Sequence, residues 1–382
     1  MLIFGGMRFV RGPLTLGQRM ALSQRDVVER VVPVPPGTDL PDVSAAVYAL
    51  VRRHEALRTR FPAGDREQVV DGAGLLTIRT CGTVEEALGP EPFDIVAEWG
   101  IRVTVVCRGD RPESVVLCLS SLAVDAWAAD LVVADLAALL RGADLLAPVW
   151  QPVEQAAAES TPDGLRERAD ALVHLRKVLL TAPVEPPGAR SGPWHLGELR
   201  SRVVDPAARA VAVRCRTTTS VVYLAAAAVG LGAGPHVVST SAHNRLTAAE
   251  KACVAPFAVD AFVPVDASQE KFDAVVDHAS DAYREAGRRS RYDPAAVEPL
   301  VAEVAAERGS RPELSVLVSE YRTAPAVRSP VLTRYLTIAD DGAAVTLSLL
   351  ANSAVMAREH VPEFLDGMAR LIVAAADGDT AL

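Results

Sequence analysis

Two adjacent hydroxyls, Ser120 and Ser121, stand where one hydrophobic pattern gives way to another, with Asp125, Ala126 and Trp127 just beyond them. A serine hydroxyl cannot act as a base near neutral pH, unlike an imidazole with its ordinary pKa of about 6.5. It can hold a reacting group by a hydrogen bond, serve as a small lining residue, or attack covalently beside an activating base. Among the seven histidines, His243 is the candidate for such a base, two residues before Arg245. His54 reads as a surface or capping residue, His195 follows a linker, and His278 lies in a helical pattern. No H-E-x-x-H, Gly-rich phosphate loop or paired metal-ligand spacing is present, so no metal site is expected.

The serines need elements to position them. Residues 114–121, SVVLCLSS, are β-branched and apolar, as in a buried strand. Alternation along that strand sends Ser120 and Ser121 to opposite faces, so one of them can look into a site. From Trp127 to Leu140 apolar residues recur at helical spacing, with Asp130 and Asp135 between them. Upstream, Thr15 and Gln18 have capping-box spacing for a helix over 13–24, and 27–35 reads as a strand. Residues 42–61 predict one amphipathic helix, with Val43, Ala46, Val47, Leu50 and Leu57 on a stripe opposite Arg52, Arg53 and Glu55. Leu57 and Phe61 should pack, and the arginines suit the negative end of a helix. Residues 165–180 predict a second amphipathic helix, before a Pro- and Gly-rich linker at 181–194. A helix over 214–234 has Thr219 or Ser220 as its expected N-cap.

Length and composition narrow the field. A chain of 382 residues exceeds one ordinary core, so two lobes are expected. The net charge of −9 leaves no basic excess to neutralise phosphates, which argues against nucleic acid. Five scattered cysteines, with no C-x-x-C pair, fit reduced thiols in the cytoplasm. No signal peptide or membrane span is evident. The one basic run, GRRSR at 287–291, is open to two readings: a solvated helix end, or a docking spot for an acidic partner.

The frame Ser120-Ser121-Leu122-Ala123-Val124-Asp125-Ala126, with Trp127 next, resembles the HHxxxDG signature of nonribosomal peptide condensation domains. Both histidines are serine here and the glycine is Ala126. RHEALRTRF at 53–61 resembles a second motif of the family almost letter for letter, and EPFDIVAEWGIRVTVVCRGD at 91–110 resembles a third. Residues 236–266 fit another through Arg245 and Glu250, although Ala255 and Ala258 stand near positions usually held by Gly and Asn. Residues 292–305, 313–323 and 345–373 match later segments, so the resemblance runs nearly end to end and implies a free-standing protein.

That resemblance implies an α/β (α+β) fold of two chloramphenicol-acetyltransferase-like lobes, residues 1–183 and 184–382, set as a V with a tunnel between them. It puts Ser121 in the tunnel at the place of the working histidine and makes Asp125 a structural partner of Arg245. His243, read as lying on a strand that reaches the tunnel two residues before Arg245, would share that face by alternation, and Ser120, Ala126, Trp127 and Ser319 would line the tunnel. No permanently bound cofactor is implied; the substrate arm would be phosphopantetheine or a coenzyme A thioester. Partners would be an acyl or peptidyl carrier protein and a small-molecule nucleophile, with neither nucleic acid nor membrane. Two functions stay open. One is an atypical acyl-transfer enzyme without the usual histidine. The other is an inactive relative that recruits an enzyme or holds a carrier-bound intermediate; the loss of both histidines and Ala126 favour it.

Overall fold

The apolar run around Ser114 is the strand Arg111–Ser120, second in a four-stranded sheet ordered Val27–Pro33, Arg111–Ser120, Ile101–Arg108, Ile78–Cys81. Ser120 faces Val27 on one neighbour, and Leu119 faces Ile101 on the other. The structure is a computed structural model describing residues 1–22, 25–62, 67–89, 91–148, 150–319, 331–378 and 380–382. The ends of two expected elements, residues 23–24 and 320–323, lie outside the described residues.

Alternation gives that sheet two faces. Val103, Val105, Val115, Leu117 and Leu119 point to one side and meet Val43, Val47, Leu50, Val132 and Leu136 from helices Leu40–Arg53 and Ala126–Leu140. Each of those helix side chains is fully buried, about 1.5–3 kcal/mol of hydrophobic stabilisation apiece. The other side carries the smaller cluster Val106, Val116 and Cys118. Two short sheets flank this body, Leu2–Phe4 with Gly74–Leu76, and Val10–Gly12 with Gln68–Val70 and Thr59–Arg60. The capping box at the first helix is formed: Thr15 Oγ1 accepts from Gln18 N–H, and Gln18 Oε1 accepts from Thr15 N–H.

The helix expected over 42–61 stops at Arg53. His54 is extended (φ −108°, ψ 107°), Glu55–Arg58 form one 3₁₀ turn, and Thr59–Arg60 enter a sheet. Leu57 and Phe61 are buried as expected, but so is Glu55, which was expected on the polar face. Periodicity cannot separate these cases, because a 3₁₀ turn and a strand also bury Leu57 and Phe61.

A six-stranded sheet organises the rest, in the order Trp194–Ser201, Val345–Asn352, Arg334–Asp340, Val316–Ser319, Pro235–Ala242, Val259–Asp266. Helices Val204–Arg214, Thr219–Gly230, Phe272–Arg288 and His360–Ala376 supply residues to the core on one of its faces, with Val238, Val263, Val316, Leu336 and Leu347 from the strands. The N-cap of the second helix is Thr218 (φ −106°, ψ 159°), so Thr219 and Ser220 already lie inside it. Helix Val204–Arg214 and strand Arg334–Asp340 add to the elements expected from sequence.

Contacts divide the chain into two units, Met1–Arg166 with His243–Ala258, and Glu167–Ala242 with Val259–Leu382. The division thus falls at 166/167, inside helix Pro162–Thr181, and not at the linker boundary 183/184. A segment from the second half of the chain belongs to the first unit. Among the described residues no helix is long and apolar enough to cross a membrane.

Candidate functional site

Strand Arg111–Ser120 ends in a turn anchored from below. Ser120 N–H donates to Gly100 O at 3.0 Å and Ser121 N–H to Asp26 O at 2.9 Å, while Ala123 and Val124 N–H both donate to Ser120 O. Leu122, Ala123 and Val124 are buried, so the turn is tied at both ends. Ser120 is buried too, and its Oγ accepts from Leu122 N–H at 3.3 Å, a bond that holds the turn together. Ser121 differs: its Oγ is buried and has no hydrogen-bond partner among the described residues. A buried hydroxyl left unsatisfied costs about 1–3 kcal/mol, so Ser121 has an unused capacity to bind.

Asp125 closes the turn and opens the next helix. Its Oδ1 caps Ala128 N–H at 2.8 Å and accepts from Arg245 Nη2 at 2.9 Å, and its Oδ2 accepts from Phe257 N–H at 2.9 Å. A carboxylate there also complements the positive end of the helix. Arg245 has no exposed side-chain surface. Its Nη1 donates to Glu250 O and Cys253 O, both at 2.7 Å, and its Nη2 also to Ala255 O at 2.6 Å. The Phe257 ring covers the guanidinium at 4.3 Å. Helix Ala248–Ala252, closed by a Thr247–Glu250 capping box, brings those carbonyls together. The 243–258 segment is therefore wound around one buried cation, and the only charge paired with that cation among the described residues is Asp125. Asp125 and Arg245 form the ion pair that the resemblance implies.

Ala126 and Trp127 begin helix Ala126–Leu140. Trp127 stays 41% exposed; its Nε1–H donates to Lys251 O at 3.0 Å and its ring lies 5.7 Å from that of His243. His243 is not on a strand, as alternation with Arg245 requires. The strand stops at Ala242, and Asn244 turns the chain at φ +52°. His243 Nδ1 accepts from Arg245 N–H at 3.1 Å, so the neutral ring carries its proton on Nε2. Partial burial and the Arg245 guanidinium hold its pKa below the ordinary value. A ring whose basic nitrogen is already engaged is a poor general base. Burial pushes the neighbouring Cys253 thiol up to about 12, which keeps it protonated.

The other residues singled out by sequence lie elsewhere. Ser319 ends strand Val316–Ser319 and is buried in the second unit. His195 lies in strand Trp194–Ser201 and His278 in helix Phe272–Arg288, where its Nδ1 accepts from Asp266 N–H at 3.4 Å. Within GRRSR, Arg288 and Arg289 pair with Glu285 and Arg291 with Glu167, so local carboxylates meet the basic charge. Among the described residues no cluster of three or more His, Cys, Asp or Glu is placed to hold a metal ion.

His54 is the C-cap of its helix, but it is buried where a surface position was one expectation. Its Nε2 donates to Asp135 Oδ2 at 2.7 Å, and Arg53 Nε donates to the same oxygen at 2.7 Å. Helix Ala126–Leu140 is thereby pinned to the RHEALRTRF motif. Asp135 is the partner that sequence reasoning missed, because nothing local links residues 54 and 135. Burial lowers the His54 pKa, outweighing Asp135, and Nδ1 has no partner among the described residues. The unfolded chain, titrating at about 6.5, therefore takes up the proton first as pH falls. Stability is full above that pH and declines below it. The matching window for Asp135 lies lower: burial raises its pKa, but the bonds from His54 and Arg53 prevail and bring it under 3.8. Urea midpoints between pH 7 and 5 should fall more steeply for wild type than for His54→Gln. Parallel curves would contradict this assignment.

With this geometry in place, likeness to known proteins becomes informative. The condensation domain of the monacolin K polyketide synthase MokA superposes with a TM-score of 0.73 at 19% identity, over 96% of this chain and 98% of that one. The chain has the condensation-domain fold. The first condensation domain of the calcium-dependent antibiotic synthetase, solved with a substrate analogue, gives 0.68 at 14% identity over 98% and 99% of the two chains. The X-domain from teicoplanin biosynthesis, solved in complex with OxyB, gives 0.66 at 19% identity over 97% and 94%. In sequence, a stretch of 120 residues is 34% identical to cyclosporin synthetase simA of Tolypocladium inflatum, covering 27% of this chain and 1% of that protein. Another of 132 residues is 30% identical to phosphinothricin tripeptide synthetase PhsB of Streptomyces viridochromogenes, covering 30% and 11%. The chain thus matches only a small part of these relatives' length. No family model matches it.

Proposed function

We propose that the protein acts on an acyl thioester, carried by phosphopantetheine or coenzyme A, and aligns the attacking nucleophile without a general base. One observation carries this reading: Ser121 Oγ is buried at the start of a hydrogen-bonded turn and makes no hydrogen bond among the described residues. A covalent nucleophile would need a base within hydrogen-bond reach, and no such contact exists at Ser121 among those residues. His243, with Nδ1 engaged, does not fill the gap. Aminolysis of a thioester is intrinsically easy, so holding the amine beside the carbonyl can supply much of the acceleration that a base would otherwise share. Lacking a base forfeits about 10²–10⁴ in rate, which makes turnover slow.

The test is turnover of an acyl-pantetheine thioester with amines, alcohols and thiols, using wild type, Ser121→Ala and His243→Ala. The proposal expects product from wild type, about tenfold less from Ser121→Ala, consistent with one lost hydrogen bond, and wild-type rates from His243→Ala. Protein mass that rises by one acyl group only when Ser121 is present would replace positioning with a covalent route.

A second reading has its own support. The X-domain of similar fold is solved bound to OxyB. Should wild type match the buffer blank for every acyl group, recruitment of a partner enzyme becomes the leading function.

A further inference from the structure

The six-stranded sheet of the second unit ends on strand Trp194–Ser201, whose one partner among the described strands is Val345–Asn352. The two pair in unbroken register, from Trp194 opposite Asn352 to Ser201 opposite Val345. The other side of an edge strand turns every second backbone N–H and C=O outward, where a further strand can take them. Gly197 and Leu199 face the core: a Cβ at Gly197 would stand 2.5 Å from Val361 Cγ1, and Leu199 packs against the main apolar cluster of this unit. Alternation puts Leu196, Glu198 and Arg200 on the opposite face, and all three are exposed. Glu198 Oε1 accepts from Ser348 Oγ at 3.0 Å, and Arg200 Nη1 lies 2.7 Å from Asp341 Oδ2 in a pair open to water.

Proteins commonly blunt such an edge with proline, a bulge or charge, lysine above all. The far edge strand of this sheet, Val259–Asp266, contains Pro264. Strand Trp194–Ser201 has no proline, lysine or bulge, and its two charges are opposite in sign and two residues apart. In an antiparallel pair, directly opposed side chains share a face. A two-fold axis opposes residue i of one copy to residue j of the other, and j to i. An axis at Glu198 would set glutamate against glutamate, and one at Arg200 arginine against arginine, both destabilising. An axis at Leu199 opposes Glu198 of each copy to Arg200 of the other, and Gly197 to Ser201. No other centre on the strand matches both charges.

We propose that this edge pairs with the same edge of a second copy, antiparallel about Leu199, so that the two sheets become one. The reciprocal Glu198–Arg200 pairs set the register, and backbone hydrogen bonds along residues 197–201 supply the rest of the attraction. The contact is one strand wide, which places dissociation in the micromolar range. Because the charged pairs lie on an exposed face, salt weakens them. The pairing is independent of the chemistry at Ser121.

Sedimentation equilibrium between about 1 and 100 μM tests this. Wild type should pass from monomer to dimer as concentration rises, and less readily at about 1 M salt. Glu198→Arg and Arg200→Glu each turn both attractive pairs into repulsive ones, so each variant alone should dissociate at least about tenfold more readily. Mixing the two variants in equal amounts opposes arginines to glutamates again, and the mixture should associate as wild type does. The double variant Glu198→Arg/Arg200→Glu should recover as well. Recovery on mixing is a readout that damage to the fold cannot produce. Should either reversal lower the thermal midpoint, Arg200→Gln is read in its place, with a smaller weakening and little response to salt. Wild type that stays monomeric throughout, a dimer indifferent to the substitutions, or folded reversal variants that stay apart when mixed overturns the proposal.

Discussion

Replacing Arg245 with methionine should destabilise the first unit by about 3–5 kcal/mol, the usual cost of removing one half of a buried ion pair. Asp125 would keep its bonds from Ala128 and Phe257 N–H but lose its only ion-pair partner among the described residues. The carbonyls of Glu250, Cys253 and Ala255 would lose their shared donor. Asp125→Ala should cost a similar amount, since it strands a guanidinium with no exposed surface. Joining the two should cost clearly less than the sum, because the second change removes a charge that the first has already orphaned. Denaturant unfolding of the four proteins checks this. Single variants within 1 kcal/mol of wild type would mean that the 243–258 segment is held by something else.

Gly17→Ala should also be destabilising, against its intrinsic tendency. Gly17 lies in helix Leu16–Leu22, where alanine is ordinarily favoured by about 1 kcal/mol. A Cβ there would sit 2.1 Å from Pro256 O, 2.4 Å from Pro256 C and 2.8 Å from Phe257 N. Those are backbone atoms of the Arg245 segment, so no side chain can rotate away. Overpacking of this kind costs about 1–3 kcal/mol or more. Trp127, bonded to Lys251 O in the same segment, should report the displacement through its fluorescence. A Gly17→Ala protein at least as stable as wild type, with unchanged emission, would show that the close approach is not maintained.

These variants indicate where sequence reasoning succeeds and why. The strand and helix on either side of Ser121 were legible because both bury apolar side chains at a clear period. So was the capping box of Thr15 and Gln18, which is local chemistry. The Asp125–Arg245 pair joins residues far apart in sequence and came only through resemblance to condensation domains. What escaped the reading depended on contacts made through space. Ser120 spends its hydroxyl on Leu122 N–H, which alternation along a strand cannot anticipate. His243 leaves the strand because Asn244 takes a left-handed conformation, and its ring then folds back on Arg245 N–H. The helix stops at Arg53, beside an Asp135 that tethers both Arg53 and His54.

In the proposed reaction Ser121 aligns a nucleophile with no protein base to help it. The measurement that addresses this most directly is the pH dependence of kcat/KM for aminolysis of an acyl-pantetheine thioester between pH 5.5 and 9. With positioning alone, the rate should rise with the fraction of free amine and shift with the pKa of the amine chosen. Ser121→Ala should lower the whole profile and keep its shape. A fixed inflection near 6–7, unchanged from one amine to another and abolished by His243→Ala, would assign a histidine base and contradict the account.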